Sequence, residues 1–171
     1  MPRTGYLQRG VPDPESVAEH TFHVAFLAWA LAPEEEGFDR GRAVAMALLH
    51  DLAEARTGDL PRSAARYLPP GAKRAAEEAA FAALAAPLGG EAAALHAEYE
   101  TGASREAQWV RACDRLQLMV KVLAYEGWGA AGLAEFWRNP ANFPDTERFP
   151  ALAPLVAALR ERRDALSARP R

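Results

Sequence analysis

Three of the four histidines lie in stretches that otherwise read as protein core. His50-Asp51 falls within the run Ala43 to Glu54, apolar nearly all round, where an ionisable pair is costly to bury unless its members are paired, hydrogen-bonded or on a metal. Glu54 follows at i+4 from His50 and i+3 from Asp51, which on a helix projects it to the same side. Upstream, His20 and His23 stand one turn apart in another mostly apolar stretch, and downstream Asp114 sits between Cys113 and Arg115. Imidazoles and carboxylates offered by three core-like segments are the raw material of metal sites between facing helices. Two imidazoles and two carboxylates without a thiolate suit Mn²⁺, Fe²⁺, Co²⁺, Mg²⁺ or Zn²⁺, with positions left open for water and substrate. That is a hydrolytic design.

The elements that must position these groups are helical, because a 3.6-residue periodicity runs through almost the whole chain and strand alternation is nowhere convincing. Ser16-Val17-Ala18-Glu19 has the form of a capping box and predicts a first helix to about Leu31, with Val17, Val24, Leu27, Ala28 and Leu31 as its buried stripe. Asp39 as N-cap opens a central helix that is expected to continue through Glu54 until Thr57-Gly58 stops it. Further helices are expected from about Pro70 to Ala86, from Gly90 to Glu100, from a Ser104 cap to Gly127, around Leu133 to Trp137, and from Leu152 to Ala168. The fold class is therefore all-α, a bundle of about six to seven helices. His23 reads as a packing or supporting residue, His96 as a surface residue, and Cys113 as a small core residue. Phe22, Phe26 and Trp29 read as core or as a dimer contact, and Lys73 as helix surface.

Composition narrows the function classes. At 171 residues the chain has room for one domain of the usual ~150 residues, so residues 1–171 are read as a single domain. A chain of this size buries about 70% of its unfolded surface and should fold without a structural metal, which leaves any metal to chemistry. A formal net charge of −3 gives no general attraction for a nucleic-acid polymer, although a small phosphate-bearing ligand remains possible at a local site. With Cys113 as the only cysteine there is neither an internal disulfide nor a thiolate cluster. No window approaches the ~18 apolar residues of a membrane span, and the N-terminus has no signal-like apolar region. The expectation is a soluble, cytoplasmic protein.

Taken together, Arg3-Thr4-Gly5-Tyr6, Glu15-Ser16-Val17-Ala18-Glu19-His20, His50-Asp51-Leu52-Ala53-Glu54, Thr57-Gly58-Asp59-Leu60-Pro61, Glu98-Tyr99-Glu100 and Asp114-Arg115-Leu116 resemble the HD-domain 5′-deoxynucleotidases, in particular the HD-domain-containing protein 2 type. The likeness covers Arg3 to about Trp137, residues 3–137 forming the family-like core and 138–171 a helical tail. It implies an α-helical HD fold, a homodimer, a divalent metal, and hydrolysis of deoxynucleoside 5′-monophosphates. Position by position it implies His20, His50, Asp51 and Asp114 as metal ligands. Glu54 would orient the attacking water or handle its proton, and Asp59 would lie near the sugar and that water. Arg3 would clamp the phosphate as a planar, always-charged fork, and Tyr6 stands where relatives usually have tryptophan, in a stacking or wall role. Relatives usually have a helix before this arginine, so here Arg3 is either frayed or held by another part of the chain. Two alternatives stay open. One is an HD phosphohydrolase acting on a cyclic dinucleotide, a guanosine polyphosphate or a nucleoside triphosphate, the last disfavoured by the lack of a basic cluster near the ligands. The other is a non-enzymatic, metal-stabilised dimerisation module, against which Glu54 and Asp59 weigh.

Overall fold

The computed structural model describes residues 1–168, and among them there are helices and turns but no strand. Ten α-helical segments follow in order: α1 Thr4–Leu7, α2 Val17–Ala30, α3 Arg40–Leu49, α4 Glu54–Thr57, α5 Arg62–Ala65, α6 Ala72–Ala85, α7 Gly90–Thr101, α8 Arg105–Gly127, α9 Ala134–Arg138 and α10 Ala153–Ser167. The six long ones are those that the periodicity predicts.

The caps do what their side chains dictate. The Ser16 hydroxyl accepts the Glu19 N–H at 3.1 Å, and the Glu19 carboxylate accepts the Ser16 N–H at 2.7 Å, closing the capping box of α2. Asp39 accepts the Arg42 N–H at the start of α3 while its own N–H donates to Glu106, tying α3 to the first turn of α8. Ser104 caps α8 through the Ala107 N–H.

The central helix departs from expectation. It ends at Leu49, and residues 50–53 form a tight turn before α4 begins at Glu54. The turn is tightened by i→i−3 bonds, Leu52 N–H to Leu49 O and Glu54 N–H to Asp51 O. His50 and Asp51 therefore sit on a turn at the end of α3, not in the middle of a helix. Gly58, at φ +79°, closes α4 in a conformation that costs glycine nothing.

The core forms where α2, α3 and α8 pack against one another. Val24 and Ala28, Ala43, Met46 and Ala47, and Trp109, Val110 and Cys113 are fully buried there, and the Trp109 indole N–H donates to the Ala28 carbonyl. A smaller cluster of Ala53, Phe81, Ala85 and Ala92 joins the turn to α6 and α7. His96 belongs beside it, and not on the surface: it is buried, with its ring stacked on Phe81 at 3.7 Å between centroids. The later segments are tied in by buried Leu152 and Leu159 and by Arg160 and Arg163 lying over the rings of Phe143 and Trp137. At the other end, Arg3 N–H donates to Glu15 O and Val17 N–H to Met1 O, both at 2.9 Å. Of the two alternatives for Arg3, the chain adopts the second: an antiparallel bridge between Pro2 and Ser16 holds its segment.

Candidate metal centre and cleft

Four side chains from three elements converge between α2, the turn after α3, and α8. His20 Nε2 lies 3.3 Å from His50 Nε2, 3.4 Å from Asp51 Oδ2 and 3.2 Å from Asp114 Oδ1, while His50 Nε2 lies 3.2 Å from Asp51 Oδ2. The turn at 50–53 is what allows consecutive residues to face the same point. Neighbouring ligands on one divalent ion, with bonds of about 2.0–2.2 Å, stand roughly 3.0–3.5 Å apart, so the donor atoms fit a single cation. His20, His50 and Asp114 form a group capable of holding a metal ion, and Asp51 Oδ2 stands within 3.4 Å of both imidazoles. His50 Nδ1 lies 2.6 Å from the Ala47 carbonyl, which can only accept, so that nitrogen carries the proton and Nε2 is left for the centre.

The charges fit the same reading. Burial alone would lower the His50 pKa, but the adjacent Asp51 carboxylate raises it to about 9, so a cation bound at Nε2 would take the place of a proton there. Burial would likewise raise Asp51 and Asp114, yet His50 holds the first below the usual carboxylate range and His20 does the same for the second. Both acids are thus ionised beside positive charge, from imidazole protons or from a cation that would displace them.

Beside the centre a cleft of about 740 Å³ opens to solvent. Arg3 reaches into it, Nη1 3.2 Å from Asp51 Oδ2, and its guanidinium keeps its charge despite burial because Asp51, Asp114 and Asp59 surround it. Glu54 also borders the cleft; it is only 5% exposed and its Oε2 has no hydrogen-bond partner among the described residues. Burial, with Asp51 and Asp59 nearby, pushes its carboxyl up to about 8. Asp59 accepts the Thr4 N–H at 2.5 Å, so it fastens the segment that carries Arg3 as well as lining the cleft. Tyr6 is buried, its hydroxyl donating to the Leu118 carbonyl and its ring packed on Tyr125 and Phe136. It offers a wall to the cleft and no open face for stacking.

Two features escape a reading of the sequence. The rim is basic: Arg62 from α5 and Arg66 just after it, Lys73 from α6, and Arg111 and Arg115 from α8 all line the cleft, correcting the expectation of no basic cluster near the proposed ligands. Lys73 accordingly faces the cleft rim, with its Nζ 3.3 Å from Glu77. Behind His20 stands Gln117, its Oε1 2.7 Å from His20 Nδ1 and its Nε2 2.8 Å from the buried Glu15 carboxylate. Glu15 lies within a quoted motif, but nothing local marks Gln117. His23 stays outside the four-residue cluster, its Nδ1 3.6 Å from Glu15.

Known proteins are similar to the chain over most of its length. A family model described as HD domain matches residues 1–144. The chain is 35% identical over 130 residues to 5′-deoxynucleotidase HDDC2 of Bos taurus, covering 74% of this chain and 62% of that protein, so it spans about three fifths of that relative's length. To the Xenopus laevis protein of the same name it is 30% identical over 168 residues, covering 96% of this chain and 81% of the relative. Among solved structures, the PH0347 protein of Pyrococcus horikoshii superposes with a TM-score of 0.82 at 35% identity, covering 95% of this chain and 92% of the other. With its helical architecture, its paired His50-Asp51 on the turn after α3 and a family match over most of its length, the chain belongs to the HD-domain family.

Proposed function

We propose that the chain is a metal-dependent phosphohydrolase that removes the 5′-phosphate from deoxynucleoside monophosphates, and that residues 1–171 act as a single domain. The carrying observation is the convergence of His20, His50, Asp51 and Asp114 within 3.4 Å contacts beside the Arg3 guanidinium. The name 5′-deoxynucleotidase borne by relatives 30–35% identical supports it.

His20, His50, Asp51 and Asp114 would hold the divalent ion, which when bound supplies Lewis-acid stabilisation of phosphate charge. Arg3, which lines the cleft next to Asp51, would bind a phosphate oxygen as a planar fork that stays charged throughout. Hydrolysis forms a bond between a water oxygen and phosphorus and breaks the bond from phosphorus to the 5′ oxygen, so one proton must leave the water and one must reach the leaving oxygen. Glu54, buried at the cleft wall with Oε2 free of hydrogen-bond partners among the described residues, is the group we assign to relay the proton from the water to the leaving 5′ oxygen. Asp59 holds the Arg3 segment in place and borders the space for the sugar.

A second reading has one observation behind it. The basic rim of Arg62, Arg66, Arg111 and Arg115 suits a nucleotide with further phosphates. The partners proposed are thus a small nucleotide and a second copy of the chain, which would meet across the exposed aromatic face of α2. The compartment proposed is the cytoplasm, where the unpaired Cys113 stays reduced.

One assay tests the function. Metal-free protein is replenished separately with Mn²⁺, Co²⁺, Fe²⁺, Mg²⁺ or Zn²⁺, and phosphate release is followed from deoxy- and ribonucleoside monophosphates and from deoxynucleoside triphosphates. Turnover of a deoxynucleoside monophosphate with at least one metal is expected. No turnover of any monophosphate, with cleavage of a polyphosphorylated or cyclic nucleotide, would hand the assignment to the second reading.

A further inference from the structure

His20 is wholly buried, and its Nε2 must face the centre for the four donor atoms to meet. An imidazole has two nitrogens, and only the one without a proton can bind a metal. What decides which nitrogen that is lies one and two residues further out.

Gln117, 2% exposed on α8, bridges His20 and Glu15: Oε1 is 2.7 Å from His20 Nδ1, and Nε2 is 2.8 Å from Glu15 Oε2. A carboxylate accepts and never donates, so Glu15 compels the amide to turn its NH₂ group outward. The amide oxygen then faces His20, and an oxygen also only accepts, so Nδ1 must carry the proton. Nε2 is thereby left with its lone pair pointing at Asp51, His50 and Asp114. Lys121, with Nζ 3.3 Å from Glu15 Oε2, balances the charge of a carboxylate whose side chain is 1% exposed. Glu15 is held in turn by its own backbone: its N–H donates to the Tyr125 hydroxyl, and its carbonyl accepts the N–H of Arg3. The same residue thus anchors the phosphate-side arginine and orients the histidine.

We infer that Gln117 is a positioning residue that, set by Glu15, fixes the tautomer and ring direction of His20 for the metal. The inference rests on the metal reading above, which puts an ion at His20. Outer partners of metal-bound histidines are worth about 10–100-fold in metal affinity.

The test is a Co²⁺ titration of the full chain against a competing chelator, read by visible absorption, together with a long-range ¹H–¹⁵N spectrum reporting the His20 tautomer. Gln117→Leu should bind Co²⁺ about 10–100-fold more weakly, with an altered spectrum and a mixed tautomer. Gln117→Glu alone sets two carboxylates face to face and should also bind weakly. Adding Glu15→Gln to it exchanges amide and carboxylate, keeps an acceptor at Nδ1, restores the donor between positions 15 and 117 that holds that acceptor in place, and should return affinity to within about threefold of the parent. Met119→Leu, a buried change two residues along α8, should shift melting and leave affinity unmoved. If Gln117→Leu does not fold, the single and double exchange variants decide. Parent-like affinity and spectrum in Gln117→Glu, or no recovery in the double variant, would overturn the inference. Failure of the parent itself to bind Co²⁺ would instead strike the metal reading on which it rests.

Discussion

Asp51 Oδ2 is shared by three neighbours, His20 Nε2 at 3.4 Å, His50 Nε2 at 3.2 Å and Arg3 Nη1 at 3.2 Å. Its removal would take a proposed ligand from the centre and the counter-charge from Arg3 at once. Asp51→Ala should therefore lose bound metal and turnover together, measured by elemental analysis and phosphate release. Glu54 is different in kind, since it is not one of the four side chains that converge at the centre and its Oε2 has no hydrogen-bond partner among the described residues. Glu54→Gln should keep the metal while turnover falls by about 10²–10⁴-fold; equal loss of metal in both variants would contradict the separate roles. Arg3→Lys keeps the charge but gives up the planar fork, so metal content should hold while kcat/KM drops by roughly tenfold or more, the worth of about one charge-assisted hydrogen bond. The four converging residues were legible in the sequence because ionisable groups inside apolar runs demand an explanation. Gln117 was not, since a neutral amide can sit in many environments and its partners lie at positions 15 and 20, far away along the chain. The rim arginines were hidden for a similar reason, each coming from a separate stretch with no local cluster to betray them.

At the scale of elements, the capped helix starts were readable and one helix end was not. Ser16, Asp39 and Ser104 announce α2, α3 and α8 through side-chain oxygens that meet free N–H groups. The break after Leu49 carries no glycine or proline, and its apolar pattern runs on through Leu52-Ala53, so only the tertiary demand that His50 and Asp51 face one point distinguishes it from continuous helix. Because α2 carries His20, its cap bears on the site as well as on stability. Ser16→Ala should lower unfolding free energy by about 1 kcal/mol, measured in urea, without changing the helix count by circular dichroism. His96 on α7 gives a pH signature. Burial against Phe81 lowers its pKa below the usual value, outweighing Glu100 on the same helix and Glu78 on α6, which raise it, while His50 lowers it further. The unfolded chain then binds a proton near pH 6.5 that the folded chain resists, so this contribution to stability is present above that pH and is lost as pH falls below it. His96→Gln should flatten the fall of stability between about pH 7 and pH 5; an unchanged slope would place the dependence elsewhere.

For the whole molecule, the two sides of α2 pose the remaining question. Its inner side holds His20, Val24 and Ala28, all buried, while Phe22, Phe26 and Trp29 on the other side are 65%, 55% and 55% exposed. Their spacing of four and three residues makes a single stripe, and Leu48 on α3 is exposed as well. From sequence these aromatics could be core or contact between copies; their exposure removes the first option, since three large apolar side chains in a row are costly to leave in water. A two-fold contact would set the stripe of one copy against that of another, because a two-fold axis brings the same patch to both sides. Sedimentation should accordingly show a dimer that Phe26→Glu converts to a monomer. The variant should retain metal, as the substitution faces away from His20. Covering one side of α2 would also stiffen the helix that carries a proposed ligand, so thermal inactivation of the parent should slow as protein concentration rises, and that of Phe26→Glu should not. A parent that sediments as a monomer at every concentration would leave the stripe without this partner and remove the concentration dependence along with it.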